Sequence, residues 1–271
     1  MIKKLFAPWS MASHRLFSLW RAIPIFLVLY LAILAAIYFF SSTGLATLPG
    51  VFATLILAVL APILFFILQS MSVSYVQQET GSAGALFLRS LKGFWKLIVL
   101  AAPFIALAVL TVFLIAKVPA AATPAVAAAR LSRSASGSAN NAGWFASHWG
   151  EWRTILLTAV ELILLLFVLP LATIHIWISA ASIGFVKAVK GAGRTILNAF
   201  KPFPVLIYIV GAIIFGVLPY FLIVTRTTSK SPWLELSLLA LRLVLAATLN
   251  LFGWVITMGA LAERAASPEH Q

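Results

Sequence analysis

Few side chains in this sequence are equipped for acid–base or metal chemistry. The acids are six glutamates (Glu79, Glu151, Glu161, Glu235, Glu263 and Glu269), there are four histidines, and cysteine and aspartate are absent. Without cysteine there is no disulfide, thiolate metal site, iron–sulfur cluster or thiol nucleophile. Without aspartate the paired-aspartate chemistries go as well. No His-Glu-x-x-His zinc motif, Gly-x-Ser-x-Gly elbow or glycine-rich phosphate loop occurs. A two-carboxylate mechanism needs two of Glu79, Glu151, Glu161 and Glu235 to converge, and the topology derived below sets Glu79 across the membrane from the other three. The expectation is a protein that is not an enzyme and holds neither cofactor nor metal.

One constellation stands out because it lies inside apolar runs. Glu161 falls seven residues into the fourth run described below, about 10 Å deep at the helical rise, and Arg242 falls nine residues after Trp233, about 13 Å deep from the same side. Ionisable groups inside a bilayer are costly unless they meet a partner or a cavity. The matching depths predict a Glu161–Arg242 salt bridge between the fourth and sixth runs, with Glu235, two turns before Arg242 on the same face, as a competing partner. One isolated pair suits an architectural clamp better than a proton relay. His175, near the inner end of the fourth run, and Asn250, in the inner half of the sixth, are the other polar intramembrane groups, expected to hydrogen-bond in packing.

The elements that position these residues follow from composition. Of 271 residues 63% are hydrophobic and 9% charged, and the mean hydropathy is +1.08. A soluble chain is nearer half apolar and a quarter charged. Six continuous apolar stretches, about Ala22–Phe40, Leu48–Met71, Leu97–Ala116, Thr154–Ser179, Val205–Val224 and Leu236–Met258, reach the roughly 20 residues a helix needs to cross a bilayer. They do not alternate as the strands of an outer-membrane barrel do. The fold class is therefore an all-α polytopic membrane protein of six transmembrane helices. The first stretch is too long for a cleaved signal segment and is read as an uncleaved span.

Basic residues orient the spans. Twelve of the nineteen (Lys3, Lys4, Arg15, Arg21, Arg89, Lys92, Lys96, Lys187, Lys190, Arg194, Lys201 and Arg264) fall at one set of ends, and six (Lys117, Arg130, Arg133, Arg153, Arg226 and Lys230) at the other. Both termini are thus expected in the cytoplasm, with the chain in the cytoplasmic (inner) membrane. The net charge of +13 is spread over juxtamembrane ends, where anionic headgroups attract it, and not gathered into a nucleic-acid patch. Residues 1–21 carry Leu5, Phe6, Trp9, Leu16, Phe17 and Trp20 at helical spacing and read as an interfacial amphipathic helix, with Pro8 in its first turn. The six-helix domain covers 22–262 and a cytoplasmic tail 263–271. Residues 118–143, rich in Ala, Ser, Pro and Gly, read as a mobile outer loop, ending in an aromatic cluster of Trp144, Phe145, Trp149 and Trp152.

Two cytoplasmic connectors match each other. Phe87–Lys96 and Phe185–Arg194 align at an offset of 98, with basic residues at 0, +3 and +7 (Arg89, Lys92, Lys96; Lys187, Lys190, Arg194) and a glycine after each middle lysine. Both follow an even-numbered span, so the match points to a parallel duplication of a two-span unit, spans two and three and then four and five. These basic elbows suit lipid phosphates or a cytoplasmic partner. Four in-helix prolines, Pro62, Pro103, Pro170 and Pro219, each leave a carbonyl without its donor. Ala212 and Gly216 read as small packing residues. With few polar groups at mid-membrane, the chain reads as an accessory, scaffolding or assembly subunit whose partners are anionic lipids, other membrane subunits or a cytoplasmic protein. The alternative is a permease subunit for a small or lipid-like solute.

Overall fold

A computed structural model describes residues 2–43, 47–77, 82–135, 155–225 and 231–266 of the chain. The described residues are helical, with no strand among them. Helix α1 covers Ile2–Ser18 and a 3-10 turn at Trp20–Ala22 leads into α2, Ile23–Ser42. Helix α3 is Leu48–Gln77, α4 Ala83–Ala135, and α5 Ile155–Ile183. Two short helices follow, α6 at Phe185–Lys190 and α7 at Ala192–Ala199. Helix α8 is Pro202–Val224 and α9 Pro232–Ala266. Six of these helices (α2, α3, α4, α5, α8 and α9) are long and apolar enough to cross a membrane, and they coincide with the six stretches read from the sequence.

Local chemistry sets several helix ends. Pro24 and Pro202 stand in the first turns of α2 and α8, where the missing N–H costs nothing. Thr43 and Thr225 close the other ends of the same two helices. In each, the backbone N–H and the hydroxyl both donate to the carbonyl four residues back, Phe39 or Phe221, which satisfies a last-turn acceptor that would otherwise face lipid. α1 begins at Ile2, so Pro8 falls in its second turn and not in its first. The tail expected from Glu263 also starts later, because α9 continues to Ala266.

The chain divides into two compact units, 1–100 with 174–271, and 101–173. In the first unit α9 is the shared element, packing on α1, α2, α3 and α8. Its core holds Phe26, Met71, Tyr75, Ile207, Val255, Met258 and Leu261, all 2% exposed or less. Backbones approach where glycine permits it. A Cβ on Gly259 would lie 2.8 Å from the Ala12 Cβ, one on Gly253 would lie 3.1 Å from Ile214 and Phe215, and one on Gly211 would overlap Thr257. Such small-residue contacts are the usual basis of helix association where lipid is as apolar as the side chains. Gly216, expected to pack, meets nothing within 4 Å; the close approach is made by Gly211. Outside this core the spans are mostly uncovered by protein. In α2, α8 and α9 the most apolar 18-residue window is 22% buried, so their remaining apolar surface requires a bilayer.

The second unit contains the later part of α4 and the earlier part of α5. α4 runs on to Ala135, through the first part of the segment expected to be a mobile loop. Its alanine-rich run, the best helix-forming composition, accounts for the extension. The rest of that segment and the aromatic cluster at Trp144, Phe145, Trp149 and Trp152 lie outside the described residues, as do Glu79 and Glu151. α5 contains a π-helical turn at Leu164–Val168, two residues before Pro170, and α8 contains another at Ile213–Val217, two residues before Pro219.

Candidate functional site

The intramembrane polar groups of the first unit form cross-links between spans. In an α-helix the Phe215 carbonyl would accept the N–H of residue 219, which is proline and has none. The helix answers with its π-helical turn, and Asn250 Nδ2 donates to the Phe215 carbonyl at 2.7 Å. Asn250 Oδ1 accepts from the Tyr30 hydroxyl at 2.9 Å. One turn along α9, Trp254 Nε1 donates to Gln69 Oε1 at 2.8 Å, with the Phe215 and Trp254 rings edge-to-face at 5.1 Å. Four spans, α2, α3, α8 and α9, are joined in one layer by groups that would be costly if unsatisfied in hydrocarbon.

Arg242 meets a helix end. It donates through Nη1 to the carbonyl of Thr225, the residue closing α8, so its guanidinium reaches along α9 to the negative end of the α8 dipole. Glu235 is exposed in the first turn of α9, where a carboxylate complements the positive end of that helix. Glu161 belongs to the second unit and is half-buried on α5. His175 is 6% exposed at the start of the α5 portion that belongs to the first unit.

An ion pair that no sequence pattern announced joins α1 to α9. Arg15 Nη2 lies 2.7 Å from Glu263 Oε1, with side chains 26% and 16% exposed. This pair fastens α1 along α9, the order being Ala12 opposite Gly259 and Arg15 opposite Glu263. The buried Tyr75 hydroxyl donates to the Ala12 carbonyl at 2.6 Å and adds α3 to the joint. α1 therefore turns Ala12 and Leu16 into the protein, while Phe6, Met11 and Phe17 remain exposed. Arg15→Glu alone is expected to destabilise the protein, and Arg15→Glu with Glu263→Arg to recover most of the loss. A coupling of about 1 kcal/mol in a double-mutant cycle of detergent unfolding is the expected size. Beside this joint runs an apolar groove of about 420 Å³ between α1, α8 and α9, walled by Phe6, Trp9, Ile214, Phe252 and Ile256. None of Glu161, Arg242, His175 and Asn250 lines it.

The two basic elbows differ in backbone and meet in space. The first, Phe87–Lys96, lies within the unbroken helix α4. The second follows Gly184, whose φ of 90° and ψ of 155° belong to a region open to glycine alone, and is broken again at Gly191 between α6 and α7. The turn at Gly184 presents Phe185 to Trp95, ring centroids 6.2 Å apart. All six basic residues, Arg89, Lys92, Lys96, Lys187, Lys190 and Arg194, are exposed. A Cβ on Gly184 would meet no atom within 4 Å, so Gly184→Ala tests backbone strain alone. It is expected to cost about 1–3 kcal/mol and to change the near-ultraviolet circular dichroism of the Trp95–Phe185 pair.

No family model matches the chain, and none of the curated proteins or solved structures matches it.

Proposed function

We propose that the protein is a non-enzymatic accessory, scaffolding or assembly subunit of the cytoplasmic membrane. In this reading both termini and both elbows face the cytoplasm, anionic headgroups are its lipid partners, and spans two–three and four–five descend from a parallel duplication. The observation that carries it is the use made of the intramembrane polar groups. Asn250, Gln69 and Arg242 are engaged with other parts of the fold, and the groove on the flank of α1 is apolar. A permease needs polar groups lining a path for its solute near mid-membrane, and these residues are occupied in holding helices together.

The test is purification from native membranes in a mild detergent after brief cross-linking. A partner recovered at fixed stoichiometry is the expected result. Recovery of the chain alone, together with solute flux in proteoliposomes, would overturn the proposal. Orientation is checked separately, and the absence of cysteine makes the check clean. Ser18→Cys and Ser182→Cys, both exposed positions, are expected to react with an impermeant maleimide only after permeabilisation. Ser41→Cys, at the far end of α2, is expected to react in intact spheroplasts.

A further inference from the structure

The sequence separates the two basic elbows by 98 residues, and the structure joins them through the Trp95–Phe185 contact. Each elbow contributes three exposed cations, Arg89, Lys92 and Lys96 within α4, and Lys187 and Lys190 on α6 with Arg194 on α7. Lys92 and Lys96 flank Trp95, with the Lys96 ammonium 5.9 Å from the Trp95 ring centre, and Lys187 follows Phe185 by two residues. No acidic residue occurs in 82–100 or 174–201, so neither segment supplies a counter-charge for the six cations. Large apolar side chains are interleaved with them: Leu88, Trp95, Val186 and Val189 are 49–63% exposed.

We propose that the joined elbows form one binding site for a membrane phospholipid carrying two phosphodiester groups. Each basic triad takes one phosphate, and the acyl chains lie against the interleaved apolar residues. Charge complementarity selects an anion, and the interleaved apolar surface selects a lipid over a nucleic acid or an acidic protein, because that surface loses least at the boundary between headgroups and acyl chains. The contact between the elbows selects two phosphates in one molecule. Once the first phosphate is held, the second is presented at high effective concentration to the neighbouring triad. The inference rests on the proposed reading of the elbows as cytoplasmic elements at headgroup level. That reading fails on its own if Ser182→Cys labels from the outside, whatever the lipid measurement gives.

The experiment is native mass spectrometry of the purified full-length protein titrated with diphosphatidylglycerol, phosphatidylglycerol and phosphatidylcholine. One diphosphatidylglycerol is expected to bind at least about tenfold more tightly than phosphatidylglycerol, with phosphatidylcholine weaker still. Neutralising either triad to glutamine (Arg89, Lys92 and Lys96, or Lys187, Lys190 and Arg194) is expected to remove that preference. Neutralising both should add little further loss of preference, because a single bridged site is already broken. Lys190→Gln, a lone exposed change, should weaken binding without moving the unfolding midpoint and so guards against misfolding of the triple variants. A preference unchanged by either triple variant would overturn the proposal. So would two independent phosphatidylglycerol sites, each lost with its own triad, or binding of RNA or polyglutamate that lipid does not displace.

Discussion

Replacing Gly211 with alanine is expected to lower stability by about 1–3 kcal/mol, the range for a methyl group forced into a packed interface. The same replacement at Gly216 is expected to leave stability unchanged or raise it by up to about 1 kcal/mol. The two glycines lie five residues apart on α8 and differ in what stands opposite. A Cβ at position 211 would overlap Thr257 Cγ2 and Oγ1 on α9, and the Thr257 Cβ would be 3.0 Å away, whereas at 216 there is open space. Position 216 is exposed, so alanine there gains helix propensity and meets lipid. At 211 the Thr257 side chain is β-branched and held close at its Cβ, so it makes room by separating α8 from the helix that organises the first unit. Thr257→Ala removes the two overlapping atoms and should rescue part of the Gly211→Ala loss, despite giving up the bond from its hydroxyl to the Gly253 carbonyl. Reversible unfolding in mixed micelles measures all three. Equal shifts at 211 and 216 would show that the α8–α9 approach does not depend on this contact.

The spans were legible in the sequence because the bilayer imposes one rule on them: every backbone polar group must be paired within the segment, so an apolar run of sufficient length is a helix. The partners of individual side chains were less legible, for reasons particular to each. Matching charges by depth points Arg242 toward Glu161; the bond its guanidinium makes to the backbone carbonyl at the end of α8 was not legible, because carbonyls carry no mark in a sequence. Glu263 read as the start of a tail because it follows the last apolar stretch. Its pairing with Arg15 depends on α1 lying along α9, which no local pattern encodes. Gly216 and Gly211 have equal standing in a small-residue pattern, and the difference between them comes from Thr257. Gly184 was hidden for the opposite reason. It sits in the joint between span and elbow, where a lone glycine is unremarkable until its φ of 90° is known. Pro219 offered a usable signal, because counting four residues back names Phe215 as the carbonyl needing a donor.

That last signal supports the second large expectation. Asn250→Leu is expected to destabilise the protein by about 1–3 kcal/mol, because it removes two interhelical bonds and strands the Phe215 carbonyl inside the first unit. The size of the loss should depend on Pro219. In a Pro219→Ala background residue 219 regains an N–H, the Phe215 carbonyl has a donor within its own helix, and Asn250→Leu should cost about half as much. The remaining cost is the bond from Tyr30, and Tyr30→Phe should remove that part without affecting the coupling to Pro219. A double-mutant cycle over positions 250 and 219 isolates the shared term. Additive effects would mean that the Asn250–Phe215 bond does not answer the proline, and that the π-helical turn at Ile213–Val217 accommodates Pro219 alone. A favourable coupling would assign Asn250 to the repair of a proline break and leave its amide with no part in handling a solute. It would thereby weigh on the side of a scaffold against a permease.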